Sequence, residues 1–157
     1  MHRRAVLISL VATLAHGTAR AGTWGHGSFG NDGALDWLGD FLDRPSAASI
    51  EATLNAALTS GPLGSFEGES AMAAAEVVAA ALGRPAPDLR NDLLAWLRRT
   101  DLADYKKLKA LAGRAVNAVI SGQRSELREL WSPDRVDFAQ WQASAQELLK
   151  RLGEPRR

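Results

Sequence analysis

The stretch Glu67–Gly83, "EGESAMAAAEVVAAALG", constrains the fold of this chain more than any other part. Alanine is the strongest helix former, and a helix is expected here from about Glu69 to Leu82, with Gly83 as its stop. A helix that is apolar all round has no face to give to water, so neighbours must crowd it on most sides. Thin side chains let those neighbours come close. The one misfit is Glu76. An ionised carboxylate among such neighbours costs several kcal/mol unless it is paired or bonded to donors. Glu76 is therefore expected to have a partner, for which the donor-rich backbone from Trp24 to Asn31 is the candidate; an acid of raised pKa in a cleft is the second reading.

The rest of the chain supplies helices to surround that one. Asn31 or Asp32 can cap a first helix carrying Leu35, Trp37, Leu38, Phe41 and Leu42, which ends before Pro45. Ser46 opens a second, with Ile50, Leu54, Ala57 and Leu58 on one stripe up to "SGPLG". A fourth follows Pro87-Asp88, with Leu89, Leu93, Leu94, Trp96 and Leu97. The fifth and longest is capped by Asp101 and repeats apolar residues every three or four positions to Gly122. "SELRELW" makes a short sixth, and a seventh runs from Ser132 or Asp134 to Leu152. No window alternates as a strand would, so the expectation is an all-α bundle of about six or seven helices with an N-terminal Gly/Trp-rich loop. Its 157 residues suit one domain, and the absence of cysteine leaves the core to hold it without disulfides.

The first 21 residues fall outside that domain. "MHRR AVLISLVATLA HGTARA" has a positive start, a short apolar run and the small-x-small end Ala19-Arg20-Ala21, the pattern of a secretory leader cut before Gly22. The run is too short to span a bilayer, which takes about 20 apolar residues. The expected boundaries are a leader over 1–21, one helical domain over 22–153 and a frayed tail over 154–157, with a periplasmic or secreted location. Arg3-Arg4 also allows the twin-arginine route, although the flanking residues favour general secretion.

With the leader removed, 16 basic residues face 18 acidic ones, which gives no hint of a nucleic-acid partner. The charges are unevenly spread. Gly22–Gly83 holds eight acids and one base, while 84–157 holds ten acids and fifteen bases. An acidic pole around Asp36, Asp40 and Asp43 and a basic pole around Arg98, Arg99, Lys106 and Lys107 are expected on different faces, one of them steering a partner.

The mature start reads "GTWGHGSFGNDGALDWL", from Gly22 to Leu38. Together with "EGESAMAAAEVVAAALGRP" and "SELRELW", it resembles the bacterial domain of unknown function 4259 family, whose typical start is Gly-x-Trp-Gly-x-Gly-x-Phe-x-Asn-Asp. The likeness covers nearly all of the chain after Gly22 and implies a shared fold, with no established activity to carry over. Where the family often has acids, this chain has Gly30 and Gly33, which weakens a cation-binding reading of the loop.

The candidate binding or structural cluster is Trp24, His26, Asn31, Asp32, Asp36 and Glu76. Asp32, Asp36, Asp40 and Asp43 share a helix face that could gather a cation, but "GNDG" lacks the oxygens calcium needs, and a solvated face is expected instead. His26 is the only histidine of the mature chain, which excludes multi-histidine metal sites, and no nucleophile accompanies it; a histidine bonded to backbone is expected. "GHGSFG" lacks the strand that a phosphate loop requires, so its glycines are read as permitting positive φ and tight contacts with the flanking rings. The tryptophans are read as core, their indole N–H bonded to nearby carbonyls, with a stacking platform for a sugar or peptide as the alternative and Trp24 as the exception to test. No metal, no cofactor and no catalytic set is expected. The functional expectation is an exported module that binds another protein, as an inhibitor or immunity-type partner; the alternative is a small hydrolase using His26 with Asp32, Asp36 or Glu76.

Overall fold

A computed structural model describes residues 25–153. The leader, Trp24 and the tail over 154–157 lie outside the described residues, and with them the expectations made there. Among the described residues eight helices follow one another: α1 (Asp32–Asp43), α2 (Ala47–Ala56), α3 (Ser65–Ala81), α4 (Asn91–Leu97), α5 (Ala103–Lys107), α6 (Lys109–Ser121), α7 (Glu126–Trp131) and α8 (Arg135–Leu152). Among the described residues there is no strand, only one isolated bridge that ties Leu63 to Ser125. The fold is all-α, as the patterning requires.

Local chemistry places half of the helix starts. Asn31 caps α1 by accepting from the Ala34 N–H at 2.7 Å, and Ser46 caps α2 by accepting from Ser49. Ser125 caps α7, and Asp134 accepts from both Val136 and Asp137 at the head of α8. The stops after α3 and α8 are Gly83 and Gly153, both in the left-handed region that a side chain would strain.

Helix α3 is the axis of the bundle. Every residue from Gly68 to Ala81 is buried, and α1, α2, α6, α7 and α8 all pack on it. Its alanines allow that density of neighbours, since a larger side chain on any face would meet another helix. The largest fully buried side chains, including Leu38, Leu54, Leu93 and Leu148, come from the surrounding helices and fill the spaces between them.

Three sequence expectations shift. The third helix begins at Ser65, four residues before Glu69, and Gly68 lies within it: a Cβ there would stand 3.1 Å from the Leu127 Cβ, so glycine lets α7 cross closely. The fourth begins at Asn91, since Leu89 turns back onto Ala86 and buries its side chain before the helix starts. The single long helix expected between Asp101 and Gly122 is broken at Leu108 into α5 and α6, which makes the total eight. The break lets Tyr105 turn edge-on against Trp96, with ring centres 5.2 Å apart, while Ala112, Ala115 and Val116 bury. An apolar period continues through such a bend and does not reveal it.

The all-sided burial of α3 has a measurable consequence. Ala75→Leu overpacks the axis and is expected to cost about 1–3 kcal/mol, and Leu148→Ala opens a cavity beside it at about 2–5 kcal/mol. Urea denaturation of the two variants measures both.

Candidate functional site

The loop from Gly25 to Asn31 folds back on itself. The Gly25 N–H donates to the Gly30 carbonyl, and the Gly30 N–H donates to the Gly27 carbonyl, each at 2.9 Å. None of the glycines in this loop has a positive φ; among the described residues only Gly83 and Gly153 do. The expected left-handed turns are thus absent, and the need for glycine is steric: a Cβ on Gly30 would stand 2.5 Å from the Gly25 carbonyl oxygen.

Two long-range clasps hold this loop. Ser28 Oγ donates to Glu76 Oε1 at 3.0 Å, and His26 Nε2 lies 3.1 Å from Asp137 Oδ1. The His26 ring also packs on Trp131, centre to centre 5.1 Å, and Trp131 stacks on Trp141 at 6.2 Å. The expected bond from the histidine to backbone is replaced by a carboxylate and an indole, both from the α7–α8 corner.

Glu76 has the partner that its burial demands. Arg151, in the last turn of α8, donates through both terminal nitrogens to the two carboxylate oxygens, each at 2.7 Å. The pair is bidentate and largely buried, with side-chain exposures of 5% for Glu76 and 20% for Arg151. The Gly-rich loop contributes the Ser28 hydroxyl to Glu76, not the backbone donors expected. Arg151 was missed in the sequence because a cation in a last turn reads as a helix-dipole residue. A usable signal was present: Arg151 follows Leu148 by three positions and so flanks the apolar stripe of α8.

These groups border a cleft of about 700 Å³. One wall is the loop from Gly25 to Gly30, another is Ala86, Pro87, Asp88 and Arg90, and the third is the α8 face bearing Ala143, Ser144, Glu147 and Arg151, with Glu76 between them. Arg90 is braced by Asp92 at 2.6 Å, and that guanidinium's hydrogen bond holds the Asp92 carboxyl below its usual value.

The remaining residues of the expected cluster divide. Asn31 is buried as a cap. Asp32 and Asp36 are exposed on α1, and neither lines the cleft. No group of three or more acids or histidines among the described residues is placed to hold a metal ion. Asp32 acts on Glu69, a buried carboxylate on α3 packed against Gly33. Glu69 borders a gap of about 10 Å³ shared with His26, Asn31, Trp131 and Trp141. Burial first, and then the Asp32 charge, push the Glu69 carboxyl above its ordinary value. The tryptophans within the described residues are core or core edge: Trp131 and Trp141 are buried, while Trp37 and Trp96 are half-buried.

Two expectations follow. Arg151→Met leaves a buried carboxylate unpaired and should cost about 3–5 kcal/mol, most of which the double change Glu76→Leu with Arg151→Met should restore. For Glu69, a folded-state pKa above the unfolded one means that its favourable contribution is complete below the unfolded value of about 4.3 and is lost as pH rises through the folded value. Glu69→Gln should therefore melt at a higher temperature than wild type at neutral pH, the gap closing as the medium is acidified to about pH 4. Thermal melts across that range measure it.

No helix among the described residues is long and apolar enough to cross a membrane. No curated protein and no solved structure matches the chain. A family model described as Domain of unknown function (DUF4259) matches residues 22–144, from the Gly/Trp-rich start through the cleft loop, the axial helix α3 and the first half of α8; the chain belongs to that family.

Proposed function

We propose that the protein is an exported module that binds a segment of another protein in the cleft between the Gly-rich loop and α8. The observation that carries this reading is the state of the cleft's polar groups. Glu76 is held by Arg151 and Ser28, Arg90 by Asp92 and Glu147 by Lys150, so most of the charged groups in the walls are already paired. A wall of that kind suits recognition, which gains from pre-organisation, more than proton transfer, which needs a group poised to change state. The exposed acids of α1 and the exposed bases Arg98, Arg99, Lys106 and Lys107 supply charge for steering a partner of inhibitor or immunity type. Export rests on the leader pattern before Gly22.

The hydrolase reading keeps one observation in its favour, the His26–Asp137 pair at the rim of a cleft that also holds Ser28 and Ser144. The carboxylate is not one of those first paired with His26. Asp32 and Asp36 lie outside the cleft, and Glu76 is engaged by Arg151.

Displayed peptides selected against the chain from Gly22 onward test the choice. Selected peptides should lose at least tenfold in affinity on Ala143→Trp, which fills the cleft from an exposed position and should shift stability by no more than about 0.5 kcal/mol. Peptides that ignore Ala143→Trp would overturn the cleft as the binding surface. Turnover of ester, peptide or phosphate substrates that disappears in His26→Ala would establish the enzyme instead.

A further inference from the structure

Two motifs of the sequence remain unused by the cleft: the acidic face of α1 and its tryptophan. They meet at one place. Trp37 is half-buried and stacks on Phe41 with ring centres 5.3 Å apart and planes 6° from parallel. Its indole N–H donates to Thr53 Oγ1 at 2.9 Å, which fixes the ring against α2. Phe41 is held edge-on by Trp96 at 5.1 Å, so the aromatic floor is braced from beneath. Around it a shallow pocket of about 290 Å³ is lined by Trp37, Asp40, Phe41, Arg44 and Ser49. It shares no lining residue with the cleft.

Asp40 and Arg44 stand four residues apart, a spacing at which opposite charges on a helix ordinarily meet. Here Arg44 is the residue after the last turn of α1, in a non-helical conformation with φ −141° and ψ 67°. The ion pairs of the described residues do not include this one. A carboxylate and a guanidinium thus flank a rigid aromatic floor without neutralising each other.

We propose that this pocket binds a pyranose ring. The axial C–H groups on one face of a sugar pack on the indole, and its rim of hydroxyls asks for paired acceptors and donors at the edge. Asp40 offers two acceptor oxygens to vicinal hydroxyls, and Arg44 a planar fork of donors. The volume holds one ring, and the Asp40 carboxylate beside Arg44 favours a neutral sugar over one that carries a carboxylate, which it would repel. The ligand class is a neutral hexose, free or at the end of a glycan.

Titration of the chain from Gly22 onward with glucose, glucuronate, N-acetylglucosamine and glycerol, followed by the indole N–H resonance of Trp37, tests the proposal. That resonance is assigned as the one lost in Trp37→Phe. A saturable shift with at least one sugar, at a dissociation constant on the order of 1 mM as suits so small a ligand, is expected, with none for glycerol. Asp40→Ala should weaken it at least tenfold without changing the melting temperature. Glucuronate should bind more weakly than glucose, and Arg44→Gln should weaken glucose at least threefold. A resonance that none of the sugars moves, or a shift that is identical in Asp40→Ala, would overturn the pocket as a saccharide site.

Discussion

Helix α3 has no side facing water from Gly68 to Ala81, and it carries a carboxylate in the middle of that stretch. Much of the bundle's arrangement answers this combination. Small side chains let all seven other helices of the described residues reach the axis, so that larger apolar side chains from α1, α2, α4, α6 and α8 supply the volume. Glu76 cannot be solvated there. Its charge is balanced instead by a guanidinium from the far end of the chain, in a fork geometry that satisfies both oxygens. The pair links the axis to the last turn of α8, and the Ser28 hydroxyl brings the N-terminal loop to the same point.

The cleft follows from that arrangement. A loop whose glycines allow its backbone to approach itself is clasped at Ser28 by Glu76 and at His26 by Asp137 and Trp131. The loop lines one side of the space, and Ser144 and Glu147 of α8 border it from another. Residues near both ends of the described chain therefore build one surface. Clasping of this kind stabilises the fold and shapes the site with the same contacts, so a variant such as Arg151→Met should disturb both at once.

Glu69 shows the opposite balance. It lies on the same helix as Glu76, seven residues earlier and nearly two turns away, but its neighbours include the like charge of Asp32. Two buried carboxylates on one helix thus have different surroundings: Glu76 is paired with the Arg151 guanidinium, whereas burial and a neighbouring acid oppose ionisation of Glu69.

What could be read from the sequence was what short-range chemistry decides. Asn31, Ser46, Ser125 and Asp134 announce helix starts because each side chain reaches an N–H two or three residues on, and Gly83 and Gly153 announce stops because the chain there needs a positive φ. The alanine run announces a buried helix, and Glu76 within it announces a partner. Tertiary structure alone decided which partner. Arg151 is 75 residues from Glu76, and Asp137 is 111 from His26, separations over which no period or spacing carries information. The same holds for Gly68, whose close approach to Leu127 depends on where α7 crosses, and for Leu108, where the apolar period continues while the axis bends so that Tyr105 can reach Trp96. Caps and propensities act within a turn or two of helix. The cleft, its clasps and the aromatic floor under Trp37 depend on which helices meet, and that is set by the packing of the whole core.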